Sequence, residues 1–85
     1  MPVKAFVIER SAHKRLAKLP IHVHGKIIQA FRRLRQNPLI GEKLSGQLSD
    51  YYNLRVGDYR VIYSYDSKLS LVIVVEVEHR QGVYK

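Results

Sequence analysis

At 85 residues with no cysteine, the chain can build one small core held by packing alone, which excludes a disulfide framework and any thiolate metal site. Fifteen Lys and Arg against seven Asp and Glu give a formal net charge of +8, a self-repulsion that points to a polyanion or an acidic protein as partner. The longest apolar run, Leu71-Val72-Ile73-Val74-Val75, falls far short of the ~20 residues that span a bilayer, and residues 1–9 lack the h-region of a secretory signal, so a soluble, cytoplasmic chain without membrane contact is expected.

Val3 to Glu9 alternates weakly and is rich in β-branched and aromatic residues, which predicts a well-buried first strand. Ser11 suits a helix N-cap, with Ala12, Leu16 and Leu19 following at helical spacing until Pro20 breaks the helix. A second helix begins near Ile21 and repeats Val23, Ile27, Ala30, Phe31 and Leu34 every three or four residues. Its other face carries Lys26, Arg32, Arg33 and Arg35, and Asn37-Pro38 ends it because proline disfavours helix in the residue before it. Leu39 to Asp50 has neither period and reads as a loop whose Lys43 can reach a ligand. A meander follows: a strand to Val56, a two-residue Gly57-Asp58 turn, a strand to Tyr65, a turn at Asp66-Ser67-Lys68, and a long strand from Leu69 to about Glu78. The expected fold is one α+β domain, residues 1–85, with a helical hairpin on one face of a small, mostly antiparallel sheet.

The turn sets the register. If Gly57-Asp58 closes a two-residue loop, Val56 meets Tyr59, Leu54 meets Val61 and Tyr52 meets Tyr63 on an apolar face, while Arg55 meets Arg60 on the other. Like charges directly opposite are destabilising by roughly 0.2–1 kcal/mol, so an anionic ligand is the motive for placing them there. Matching the next strand puts Leu71, Ile73, Val75 and Val77 on the apolar face, and Glu76, Glu78 and Arg80 on the arginine face, with Tyr84 of the same parity beyond Gly82. Ordinary salt bridges from these carboxylates are the alternative use of the arginines, but three guanidinium forks beside a tyrosine suit phosphate. The parity of His79 directs it to the core side.

Tyr51 to Tyr63, His79 to Tyr84, the element order and the Lys43-Leu44 to Gly46 approach resemble the RelE/ParE superfamily of toxins, and its RelE-like mRNA interferase branch in particular. The resemblance implies a ribosome-dependent endoribonuclease that cuts messenger RNA in the decoding A site and is held inactive by a RelB-like antitoxin. It places Arg60, Arg80 and Tyr84 at the family's catalytic arginines and terminal tyrosine, and Arg55 where a lysine is usual. Asn53 replaces a second such lysine and Ser45 an arginine of the preceding loop. Because arginine is a poor proton acceptor, the general base stays open among Tyr84, His79, Glu76 and Glu78.

The implied chemistry is attack of the RNA 2′-hydroxyl on the adjacent phosphate. Arg55 and Arg60 would neutralise the phosphorane, Arg80 would serve the leaving 5′-oxygen, and Tyr84 would orient a nucleotide. Lys26, Arg32, Arg33, Arg35 and Lys43 would contact ribosomal RNA independently of sequence. His13, His22 and His24 lack metal-ligand spacing, and neither metal nor cofactor is expected. The free chain is expected to be a monomer that forms a hetero-oligomer with its antitoxin. A ParE-like gyrase poison, or a degenerate toxin that binds antitoxin without cleaving, are the alternatives.

Overall fold

In chain order, the computed structural model runs β1 (Ala5–Ile8), α1 (Arg10–Ala17), α2 (Ile21–Gln36), β2 (Glu42–Lys43), a 3₁₀ turn (Gly46–Leu48), β3 (Tyr51–Val56), β4 (Tyr59–Asp66) and β5 (Leu71–His79). It describes residues 2–79. The strands form one mixed sheet in the order β1-β5-β4-β3-β2, with β1 parallel to β5 and the remaining pairs antiparallel.

Both helices lie on one face. The spacing read from the sequence sets which side chains they bury: Ala12 and Leu16 from α1, and Ile27, Ala30, Phe31 and Leu34 from α2. These meet Leu54, Val56, Val61, Tyr63, Val72, Val74 and Val77 of the sheet in one apolar cluster. No charged side chain enters it among the described residues. Ridges of small and branched side chains at i, i+3 and i+4 present a continuous apolar stripe, and the sheet supplies the matching surface.

Four expectations need correction. The first strand is an edge strand among the described residues: Phe6 and Ile8 turn toward the core while Ala5 and Val7 are exposed, because alternate side chains point to opposite faces of the sheet and the helices cover only one. Ser11 is not the helix cap. Glu9 occupies that position without a side-chain hydrogen bond, and the Ser11 hydroxyl instead donates to the Val75 carbonyl at 3.3 Å. The segment from Leu39 to Asp50 contains the short β2, which pairs Glu42 with Asn53 and Lys43 with Tyr52.

The fourth correction concerns β5. Pairing runs Val61 to Val77 and Ile62 to Glu76, then Tyr63 to Val74, so Val75 is skipped at a bulge. One extra residue inverts the alternation on one side of it. Val72 and Val74 therefore enter the core in place of the predicted Leu71, Ile73 and Val75, whereas Val77 stays buried as predicted. The Ser11 hydrogen bond reaches the carbonyl of the bulged residue itself.

Candidate active site on the open sheet face

The β3–β4 hairpin places the arginines. Gly57 adopts φ +60° at the first loop position, the requirement of a tight turn whose twist matches its strands and which favours glycine there. The register is then Val56 to Tyr59, Arg55 to Arg60 and Leu54 to Val61. Leu54, Val56 and Val61 are buried beneath the helices, so the period of two carries Arg55 and Arg60 to the face the helices leave open. Tyr52 and Tyr63 stack on the other side with ring centroids 5.2 Å apart.

Glu78 stands across from Arg60 on β5, and its Oε1 lies 3.6 Å from Arg60 Nε. That separation makes an ion pair but not a hydrogen bond. Arg60 Nε and Asn53 Oδ1 are buried polar atoms without a hydrogen-bond partner among the described residues. Arg55 is exposed. A depression of about 460 Å³ opens beside the pair, floored by Leu44, Ile62 and Val75 and walled by Arg60, Glu76 and Glu78. The face therefore combines guanidinium and carboxylate groups; among the described residues it is not purely basic. Arg80 and Tyr84 lie outside the described residues.

His79 pairs with Tyr59 on the helix side, its ring edge-on to the tyrosine at 4.9 Å, as its parity predicts. Lys43 is exposed on β2 and shares the register of Tyr52, so alternation assigns it to the helix-side face and not to the arginine face.

The remaining basic residues belong to the helical layer. Arg32 and Arg33 border a groove of about 500 Å³ between α2 and β3, with Ile40 and Leu54 beneath. Lys26 borders a cleft of about 160 Å³ near the Gly57 turn. Arg35 lies over the Phe6 ring, 4.8 Å from its centroid, in a cation–π contact at the β1 edge. These side chains thus form no single surface with Arg55 and Arg60.

Tyr63, a core residue on the helix side, anchors the connection from α2 to β2. Its buried hydroxyl donates to the Pro38 carbonyl at 2.8 Å and accepts from Gly41 N–H at 3.0 Å. Desolvation by burial raises its pKa above the usual tyrosine value; the Gly41 hydrogen bond opposes that shift and neighbouring Tyr52 adds to it. A Cβ at Gly41 would come 2.5 Å from the Tyr63 oxygen, so only glycine lets the chain pass this close. The signal available in the sequence was a tyrosine at a fully buried position, which needs a polar partner.

Two helices on one face of a five-stranded mixed sheet, with an arginine-bearing face left open, define the RelE-like toxin fold. The family model describing the ParE toxin of type II toxin–antitoxin system, parDE, matches residues 6–84, and the chain belongs to that family. It is 31% identical to Toxin RelG of Mycobacterium tuberculosis over 77 residues, 88% of each chain. Among solved structures it is similar to the RelBE2 toxin–antitoxin complex of Mycobacterium tuberculosis (29% identity, TM-score 0.85, covering 94% of this chain and 100% of that one). It is also similar to the archaeal RelE–RelB complex of Pyrococcus horikoshii (28% identity, TM-score 0.79, covering 94% and 97%). The chain is therefore a type II toxin of the RelE/ParE superfamily.

Proposed function

We propose that this toxin is a metal-independent endoribonuclease that cleaves ribosome-bound messenger RNA through attack of the 2′-hydroxyl on the adjacent phosphate. The observation that carries the reading is the cross-strand placement of Arg55 and Arg60 on the open face. A like-charged pair without a second acceptor has no value to the fold, whereas a phosphorane with charge gathering on its oxygens gives both forks a partner. Arg80 and Tyr84 complete the proposed set, at the leaving 5′-oxygen and on a nucleotide. Lys26, Arg32, Arg33, Arg35 and Lys43 supply phosphate contacts with ribosomal RNA, so binding weakens steeply with salt. The setting is the cytoplasm; no helix among the described residues is long and apolar enough to cross a membrane.

The proposed regulator is a RelB-like antitoxin, since similar toxins are found in complexes with RelB. An acidic segment folding onto the basic toxin would mask it, and the free toxin would be a monomer. The test is cleavage mapping in a translating extract. Wild-type toxin should cut ribosome-bound messenger at discrete sites, and Arg60→Ala should slow it by about 10²–10³, the loss expected for one preorganised charge-stabilising donor. Unchanged cleavage in the variant would refute the role of the pair.

The match to the ParE family model favours a second reading, inhibition of DNA gyrase by protein binding. A supercoiling assay separates the two: gyrase inhibition without messenger cleavage would select it.

A further inference from the structure

The depression beside Arg60 holds two carboxylates to which the steps above give no role. Glu76 and Glu78 reach this face because the Val75 bulge resets the alternation of β5 midway, bringing Glu76 opposite Ile62 and Glu78 opposite Arg60. The same alternation carries His79 to the helix side against Tyr59. Of the described side chains of β5 able to accept a proton, only the two carboxylates line this depression.

They are not equivalent. Glu76 is exposed, and its cross-strand neighbour is apolar. Glu78 is partly enclosed, and its carboxylate stands 3.6 Å from the guanidinium expected to hold the phosphate. The 2′-hydroxyl of a ribose lies within a hydrogen-bond length of its own 3′-phosphate. A group touching the phosphate's arginine is therefore within reach of that hydroxyl. The open spacing also leaves the carboxylate free to accept a hydrogen bond, since Arg60 Nε makes none to it.

We propose that Glu78 is the general base of the site, a catalytic residue that takes the 2′-hydroxyl proton; this rests on the reading of the chain as a ribonuclease. The 2′ O–H bond breaks and its proton passes to the Glu78 carboxylate, while the 2′-oxygen forms a bond to phosphorus. The bond from phosphorus to the 5′-oxygen then breaks, the leaving oxygen takes a proton from water, and Glu78 returns its own proton to solvent. The products are a 2′,3′-cyclic phosphate and a 5′-hydroxyl. Arg60 and Asp66 from β4, Arg55 and Tyr51 from β3, Glu42 from β2 and Glu76 on β5 are the charged and titratable groups that register and alternation place on the face of Glu78 among the described residues. The 44–48 segment adds none.

The experiment compares single-turnover cleavage by the full chain and its Glu78→Gln and Glu78→Asp variants in a translating extract, as a function of pH. A base acts only when deprotonated, so the wild-type rate should rise along an acid limb. Glu78→Gln should lose that limb and slow by about 10²–10³, the usual worth of a positioned base. Glu78→Asp should keep the limb at a reduced rate, because it preserves a carboxylate in a less well placed position. A Glu78→Gln variant cutting at the wild-type rate, or retaining the limb, overturns the assignment and leaves the ribonuclease reading standing. If Glu78→Gln does not fold, Glu78→Asp decides, because absence of the limb in that variant also overturns it. Wild-type chain that cuts nothing overturns the ribonuclease reading, and the base with it.

Discussion

The two faces of the sheet are built to different rules. On the helix side, Leu34, Val61, Val72 and Tyr63 are fully buried, and the one hydroxyl among them has both a donor and an acceptor partner. On the open side, two arginines stand opposite one another and buried polar atoms of Arg60 and Asn53 lack hydrogen bonds. A side chain placed for stability has its needs met inside the chain. Buried side-chain groups left unmet among the described residues mark the surface where something from outside is expected.

The sharpest way to break this contrast is to truncate the satisfied side. Leu34→Ala removes a fully buried side chain in the last turn of α2 and should cost about 2–5 kcal/mol in chemical denaturation. Once enough folded protein is present, its cleavage sites should be those of wild type. Altered site choice would mean that the two faces are coupled.

Tyr63→Phe should cost less, about 1–3 kcal/mol, for leaving the Pro38 carbonyl and Gly41 N–H without their partner. The same hydroxyl gives an alkaline signature. Its pKa is raised in the fold, chiefly by burial, so the folded state holds the proton more tightly than the unfolded chain. That contribution is intact below the ordinary tyrosine pKa and is lost as pH rises through the folded value. Denaturation midpoints followed into the alkaline range should fall more steeply for wild type than for Tyr63→Phe, and parallel curves would assign the effect elsewhere.

How much of this could be read from the chain differs between segments, for physical reasons. The Arg55–Arg60 register was legible because a Gly-Asp turn fixes loop length and a period of two leaves no freedom in which face each residue takes. Both helices were legible because their apolar residues recur at helical spacing against charged neighbours. The bulge was not: Leu71 to Val75 is apolar throughout, so no polar residue marked which face was which, and a shift of one residue left no trace in the pattern. Glu76 and Glu78, beyond the bulge, kept their predicted face because buried Val77 between them marks it. The two-residue β2 is too short for any period. The open face was thus readable in β3 and β4 from local chemistry, while the Tyr63–Gly41 anchor and the pairing of β2 depend on tertiary contacts that local pattern does not encode. Arg80 and Tyr84, assigned by strand parity and by family resemblance, lie outside the described residues.

The smallest expected effect on stability is the most telling. Arg55→Thr removes one of two opposed like charges and puts a good strand former in its place, so stability should rise by about 0.2–1 kcal/mol. Measured side by side on the same preparation, thermal unfolding and messenger cleavage should then move in opposite directions: a slightly higher melting temperature and a large loss of cutting. A variant that melts lower and cuts as wild type does would show that Arg55 serves the fold, and would contradict the claim that this face is held ready for a phosphate.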